Sequence, residues 1–126
     1  MNSPRQIHTD TAPAAVGAYS QALASPNMVF TSGQLPINPV TGKMPEDVSE
    51  QARQSLINVK NILEAAGTGI GKVLKTTIYL ADIKDFAAVN AVYETFFAAP
   101  FPARSCFAVK DLPLGAKVEI EAIAML

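Results

Sequence analysis

The sequence predicts an α+β fold, a mixed β-sheet carrying two helices on one face. Three observations predict it. Apolar residues recur at helical spacing over two stretches, roughly Glu46 to Ala66 and Ile83 to Phe97. β-Branched and aromatic runs at about 18–24, 28–32, 73–80, 103–109 and 117–125 read as strands. Strands separated by helices need crossover connections, which mixes parallel and antiparallel pairs in one sheet.

In chain order, Ala18 to Ala24 is a strand ended by the turn Ser25-Pro26-Asn27, where Pro fixes φ and Asn tolerates unusual backbone. "MVFTS" returns antiparallel and Gly33 closes it. The prolines and Thr41-Gly42 of "LPINPVTGKMPED" mark a loop. In the first helix Val48, Ala52, Leu56, Val59, Leu63 and Ala66 make the apolar stripe. Arg53, Gln54, Asn58, Lys60, Asn61 and Glu64 fill much of the opposite face. Glu46 and Asp47 suit its start through the helix dipole, and Gly67 suits its end. Asp82 reads as the cap of the second helix, whose stripe is Phe86, Val89, Tyr93, Phe96 and Phe97 and which Pro100 and Pro102 stop. The order is ββ-α-β-α-ββ, with a further short strand near Ile7.

The length of 126 residues suits one domain. Hydrophobic residues make up 49% and charged residues only 17%, below the usual share of about 25%. So few charges cover a small surface poorly, which predicts self-association. The last strand carries the same message. Val118, Ile120, Ala122 and Ala124 share one face, while Glu119, Glu121, Ile123 and Met125 share the other. The second set is too apolar for a solvated face, so the helix-free side of the sheet is expected to meet neighbouring subunits.

The formal net charge is -1 and the ten Lys and Arg are scattered singly, without the basic stripe of a nucleic-acid binder. The single Cys rules out an internal disulfide and the usual Cys-rich zinc spacings, and the single His8 argues against a His-based metal site or a Ser-His-Asp triad. The opening residues lack a signal peptide's apolar core, and no apolar run reaches the roughly 20 residues of a membrane span. The expectation is a soluble, cytoplasmic chain.

"FPARSCF" holds the candidate chemistry. Arg104 and Cys106 share one strand face. An arginine in such a place either pairs with a structural carboxylate, Glu119 or Glu121, or waits for a ligand carboxylate or phosphate that its fork can grip at two points. Cys106 is either a packing or pocket-lining residue or a nucleophile, and the usual His base is not brought near by anything in the sequence. Glu119 and Glu121, two apart on one strand, are a weak signal for paired-carboxylate chemistry. A single glutamate handling protons near Arg104 is the better reading. Tyr19 is a packing aromatic or a site residue, and Ser32 and Gly33 close a strand where a ligand can approach the backbone. "GTGIG" follows a helix and lacks the Lys-Ser/Thr ending of a phosphate loop.

Six segments in order, "GAYSQA", "VFTSGQLPINPVTG", "QARQSLINVKNILEAAG", "VLKTTIYLADIKDFAAVNAVYETFF", "FPARSC" and "KVEIEAIA", resemble the RidA (YjgF-type) enamine/imine deaminases over nearly the whole chain. The resemblance implies a chorismate-mutase-like fold of the bacillus type, with six strands and two helices. It also implies a homotrimer whose sheets form a central barrel with a pocket at each subunit interface. It implies hydrolysis of 2-imino or 2-enamino acids, typically 2-iminobutanoate and 2-iminopropanoate, to 2-keto acids and ammonia, with no metal or organic cofactor. The matching pocket positions are Tyr19, Ser32, Gly33, Phe86, Asn90, Arg104, Cys106 and Glu119. Arg104 matches the residue holding the substrate carboxylate, and Glu119 is the candidate for handling protons or positioning water. The chain departs from the family pattern at Ala18, where Pro is usual, and in a shorter loop "FFAAPFPARS". Two other functions compete: a regulatory trimer that binds a small carboxylate without turnover, and a ribonuclease or translation inhibitor.

Overall fold

The computed structural model describes residues 3–126. Its strands are β1 (Arg5–Ile7), β2 (Ala22–Ala24), β3 (Met28–Thr31), β4 (Val73–Leu80), β5 (Ala103–Ala108) and β6 (Val118–Met125), with helices α1 (Val48–Ala65) and α2 (Phe86–Phe96). They form one six-stranded sheet in the order β1-β2-β3-β6-β4-β5. Every pairing is antiparallel except β4 with β5, which α2 connects as a crossover. The C-terminal strand therefore runs through the middle of the sheet, between β3 and β4.

The core lies between the sheet and α1 and α2. Val118, Ile120, Ala122 and Ala124 of β6 are buried, as are Ile78 and Leu80 of β4 and Val29 of β3. They meet Leu56, Val59, Ile62 and Leu63 of α1 and Val89 and Val92 of α2. Each buried branched side chain contributes about 1.5–3 kcal/mol of transfer free energy. The small residues Ala122 and Ala124 let α1 lie close over the sheet centre. Asp47 caps α1, its Oδ2 accepting from the Glu50 amide at 3.0 Å. Asp82 caps a 3₁₀ turn, Ile83–Asp85, rather than α2 itself, its Oδ1 accepting from the Lys84 amide at 2.9 Å.

The structure corrects three local expectations. The first long strand shrinks to β2 because Gln21 is turned inward. Its side chain bonds the Thr9 amide and the Thr9 and Pro13 carbonyls, tying down the preceding loop. Asn58 is fully buried rather than on the solvent face of α1. Its amide donates to the carbonyls of Leu35 and Ile37 at 3.1 and 3.0 Å, satisfying part-buried backbone groups of the loop. Phe86 leads the predicted apolar stripe of α2 but stands 37% exposed.

The other face of the sheet carries no helix. Leu23, Phe30, Phe107 and Met125 are 42 to 46% exposed there, beside Ile123, Tyr79, Glu119 and Glu121. Tyr79 donates to Glu121 Oε1 at 3.0 Å and meets Phe107 edge-on at 5.4 Å. Leu23, Phe30 and Ile123 stand in register across β2, β3 and β6, making a continuous apolar row. No helix among the described residues is long and apolar enough to cross a membrane.

Candidate functional site

Arg104 lies on β5 in register with Thr76 of β4, which in turn faces Ala122 of β6. Directly paired residues point to the same side of a sheet, so Arg104 projects on the helix side. At this edge strand it stays exposed and meets one face of α2. Phe86, Asn90 and Tyr93 sit four and then three residues apart, so they share a helix stripe. Arg104 Nη1 donates to Asn90 Oδ1 at 2.7 Å. The guanidinium carbon lies 4.8 Å from the Tyr93 ring centre and 5.4 Å from that of Phe86, within the range of cation–π attraction. Tyr93 is itself fixed: its hydroxyl shares a 2.8 Å hydrogen bond with Thr76 Oγ1, and its ring packs on Phe97 at 4.5 Å. Asn90 Nδ2 donates onward to Glu94 Oε1 at 3.1 Å, which fixes the amide's orientation.

The guanidinium is thus held by an amide oxygen and aromatic faces, and among the described residues it joins no salt bridge. It borders a cleft of about 400 Å³ lined also by Glu94, Phe101 and Pro102. A planar cation supported this way is free to offer its remaining N–H groups to the cleft, a geometry suited to an anionic group. Cys106 follows two residues on, on the same side, half-buried. Burial pushes its thiol pKa up, and the charge of Arg104 pulls the other way more weakly. A thiol so held is a poor nucleophile at neutral pH.

Glu119 is elsewhere. It faces Tyr79 on the open side of the sheet, with Glu121 two residues on. Burial, and then the charge of Glu121, hold its carboxyl above the usual carboxylate range. It lines a cavity of about 490 Å³ with Tyr19, Ser32, Gly33, Val16 and Leu114. Gly33 is pinned by the amides on either side: Ser32 donates to the Gln21 carbonyl at 2.9 Å, and Gln34 to the Ile120 carbonyl at 2.8 Å. A Cβ on Gly33 would run into the Glu119 carboxylate, 2.8 Å from its Cδ. Ser32 Oγ donates to the Ser20 carbonyl at 2.6 Å, and Tyr19, half-exposed, accepts from the Val16 amide at 3.4 Å.

The predicted site residues therefore fall into two groups. Phe86, Asn90, Arg104 and Cys106 gather beside α2, and Tyr19, Ser32, Gly33 and Glu119 gather at the open face. Of the two readings of Arg104, pairing with Glu119 or Glu121 does not occur within the chain, because strand parity sends them to opposite sides of the sheet. Tyr93 belongs with the first group although its stripe position marks it only as core. Its place three residues after Asn90, on the helix face that meets Arg104, is the signal that identifies it. Leu114 and Val16 carry no comparable signal. Among the described residues no group of three or more His, Cys, Asp or Glu is placed to hold a metal ion.

Fold and arginine-centred cleft define a class, the small α+β proteins built on this six-stranded, two-helix sheet. A protein-family model described as Endoribonuclease L-PSP matches residues 9–126, and the chain belongs to that family, the RidA/YjgF proteins. It is 56% identical over 124 residues to a 2-iminobutanoate/2-iminopropanoate deaminase of Escherichia coli K12, covering 96% of this chain and 97% of that protein. The crystal structure of the YjgF gene product of E. coli superposes with a TM-score of 0.93 at 55% identity, over 96% of this chain and 98% of that one. E. coli TdcF with bound serine superposes with a TM-score of 0.94 at 49% identity, over 97% and 98%.

Proposed function

We propose that the protein hydrolyses short 2-imino and 2-enamino acids, typified by 2-iminobutanoate and 2-iminopropanoate, to 2-keto acids and ammonia. The observation that carries this is the guanidinium of Arg104, fixed by Asn90 and Tyr93 and, among the described residues, without a carboxylate partner. It takes the substrate carboxylate at two points, which orients the neighbouring C=N carbon toward water. Glu119, whose carboxyl is held above the usual carboxylate range by burial and then by the charge of Glu121, handles the proton transfers: water adds to the carbon, the nitrogen is protonated, and ammonia leaves. Phe86 and Cys106 border the carboxylate end, and Tyr19, Ser32 and Gly33 the opposite end.

Since one protomer keeps Arg104 and Glu119 on opposite sides of its sheet, the complete site forms across a subunit seam. A homotrimer joined through the open face that exposes Leu23, Phe30 and Met125 brings the two groups together and covers that apolar surface. The name 2-iminobutanoate/2-iminopropanoate deaminase on a relative 56% identical supports the same reading. The family description also names an endoribonuclease. A net charge of -1 with scattered cations gives a chain little electrostatic hold on a phosphate backbone, so the deaminase reading is preferred.

The test is ammonia release from freshly generated 2-iminobutanoate. Arg104→Ala forfeits two charge-assisted hydrogen bonds of about 1.5–3 kcal/mol each, so kcat/KM falls roughly a hundred- to ten-thousand-fold while the assembly stays folded. Arg104→Lys keeps the charge, loses the fork, and stays well below wild type. Full activity in Arg104→Ala refutes the anchor. RNA cleavage that weakens with salt and is lost in the same variant favours the ribonuclease instead.

A further inference from the structure

Among the described residues Leu114 alone has a positive φ without being glycine, at φ 59° and ψ 22°. A side chain with a Cβ is disfavoured in that region. Burial does not offset the cost, since Leu114 is 74% exposed. The turn holding it is fixed on both sides. The Ala116 amide donates to the Pro113 carbonyl at 3.1 Å, Gly115 follows at φ 70°, and Ala116 is buried. The fold thus keeps a large aliphatic group in an unfavourable conformation in the open.

What that group borders is the cavity of Gly33 and Glu119. Val16, 88% exposed, and Tyr19, 50% exposed, line the same space. Uncovered aliphatic surface on one side of a cavity and a carboxylate on the other suit a ligand with a polar reacting end and an aliphatic tail. Strain at such a position points to a ligand contact, because no packing among the described residues repays it.

We propose that Leu114, with Val16, is the specificity-determining wall of this pocket. It receives the aliphatic side chain of the substrate, and so extends the accepted class to branched 2-imino acids of valine or leucine size. This rests on the deaminase reading and deepens it. A tail longer than ethyl covers Leu114, whereas the methyl of the alanine-derived imine leaves it bare. Leu114 acts on the choice of substrate and takes no part in the proton transfers.

The experiment compares kcat/KM for imines generated in situ from alanine, 2-aminobutyrate and leucine, in wild type and in Leu114→Ala. In parallel, calorimetry measures binding of the matching 2-oxo acids, which needs no turnover. Loss of the wall lowers kcat/KM for the leucine-derived imine about tenfold and changes the alanine-derived one less than about twofold. The 2-oxo acids follow the same order. An equal change across the panel, or none, overturns the proposal while leaving the deaminase reading intact. If wild type releases no ammonia from any imine, the deaminase reading fails, and the dependence of 2-oxo acid binding on chain length still decides the wall. Leu114→Gly is the control for a structural role: glycine suits the positive φ, so the melting temperature holds or rises and the sedimentation mass is unchanged. A fall in either makes Leu114 a packing or subunit contact and overturns the proposal.

Discussion

Gly33→Ala separates the position of Glu119 from the stability of the fold. The position is not in the left-handed region, so the methyl group meets only a space problem. The new Cβ would lie 2.8 Å from Glu119 Cδ and 3.1 Å from its Cγ, inside ordinary contact distance. The obstacle is the far end of a flexible, half-buried side chain, so Glu119 swings aside instead of the backbone giving way. Holding a side chain away from its preferred rotamer costs about 0.5–1.5 kcal/mol, which lowers the melting temperature by about 4 °C. Activity responds far more strongly. A displaced proton-transfer group forfeits much of the roughly 10²–10⁴-fold that such catalysis supplies. The assay is ammonia release from 2-iminobutanoate beside a thermal melt. Turnover within twofold of wild type in a folded Gly33→Ala protein refutes the role of Glu119. Outright unfolding refutes the claim that the contact is soft.

Three further predictions use the same assays. Tyr93→Phe leaves the aromatic face beneath Arg104 but strips the buried Thr76 hydroxyl of its partner. Stability falls by about 1–3 kcal/mol while KM hardly moves, and a raised KM without loss of stability contradicts this division. Glu121→Gln removes the charge that helps hold the Glu119 carboxyl above its ordinary range, leaving burial as the remaining cause. Glu119 then ionises at lower pH. The limb of the pH–rate profile assigned to it moves down, and Glu119→Gln abolishes that limb; an unmoved limb ends the electrostatic account. Cys106→Ala keeps substantial activity, because burial holds the thiol protonated. Near-complete loss without misfolding restores Cys106 as a nucleophile.

Much of the fold was legible because each helix writes its own period and each strand its own composition. The stripe Leu56, Val59, Leu63 marks α1 directly, and Asp47 and Gly67 bracket it. What stayed hidden depends on contacts distant in sequence. Nothing local says that β6 inserts between β3 and β4, or that Asn58 is needed inside to bond the carbonyls of Leu35 and Ile37. The candidate site shows the same division. Two-residue alternation puts Arg104 and Cys106 on one side of β5, but which side depends on register with Thr76 and Ile78. That register is a pairing between strands distant in sequence, so the sequence alone could set Arg104 beside Glu119 when the sheet keeps them apart. Leu114 was invisible for a simpler reason: its backbone angle is imposed by the turn around it.

The separation of Arg104 and Glu119 by the thickness of a sheet has a cellular corollary. If each chain brings half a reaction centre on either flank, a solitary copy is inert, however well it folds. Output then depends on chain concentration more steeply than linearly in dilute conditions and becomes proportional only once assembly saturates. In a mixture of Arg104→Ala and Glu119→Gln chains, seams where both contributed flanks are unaltered would work again, though neither pure population does.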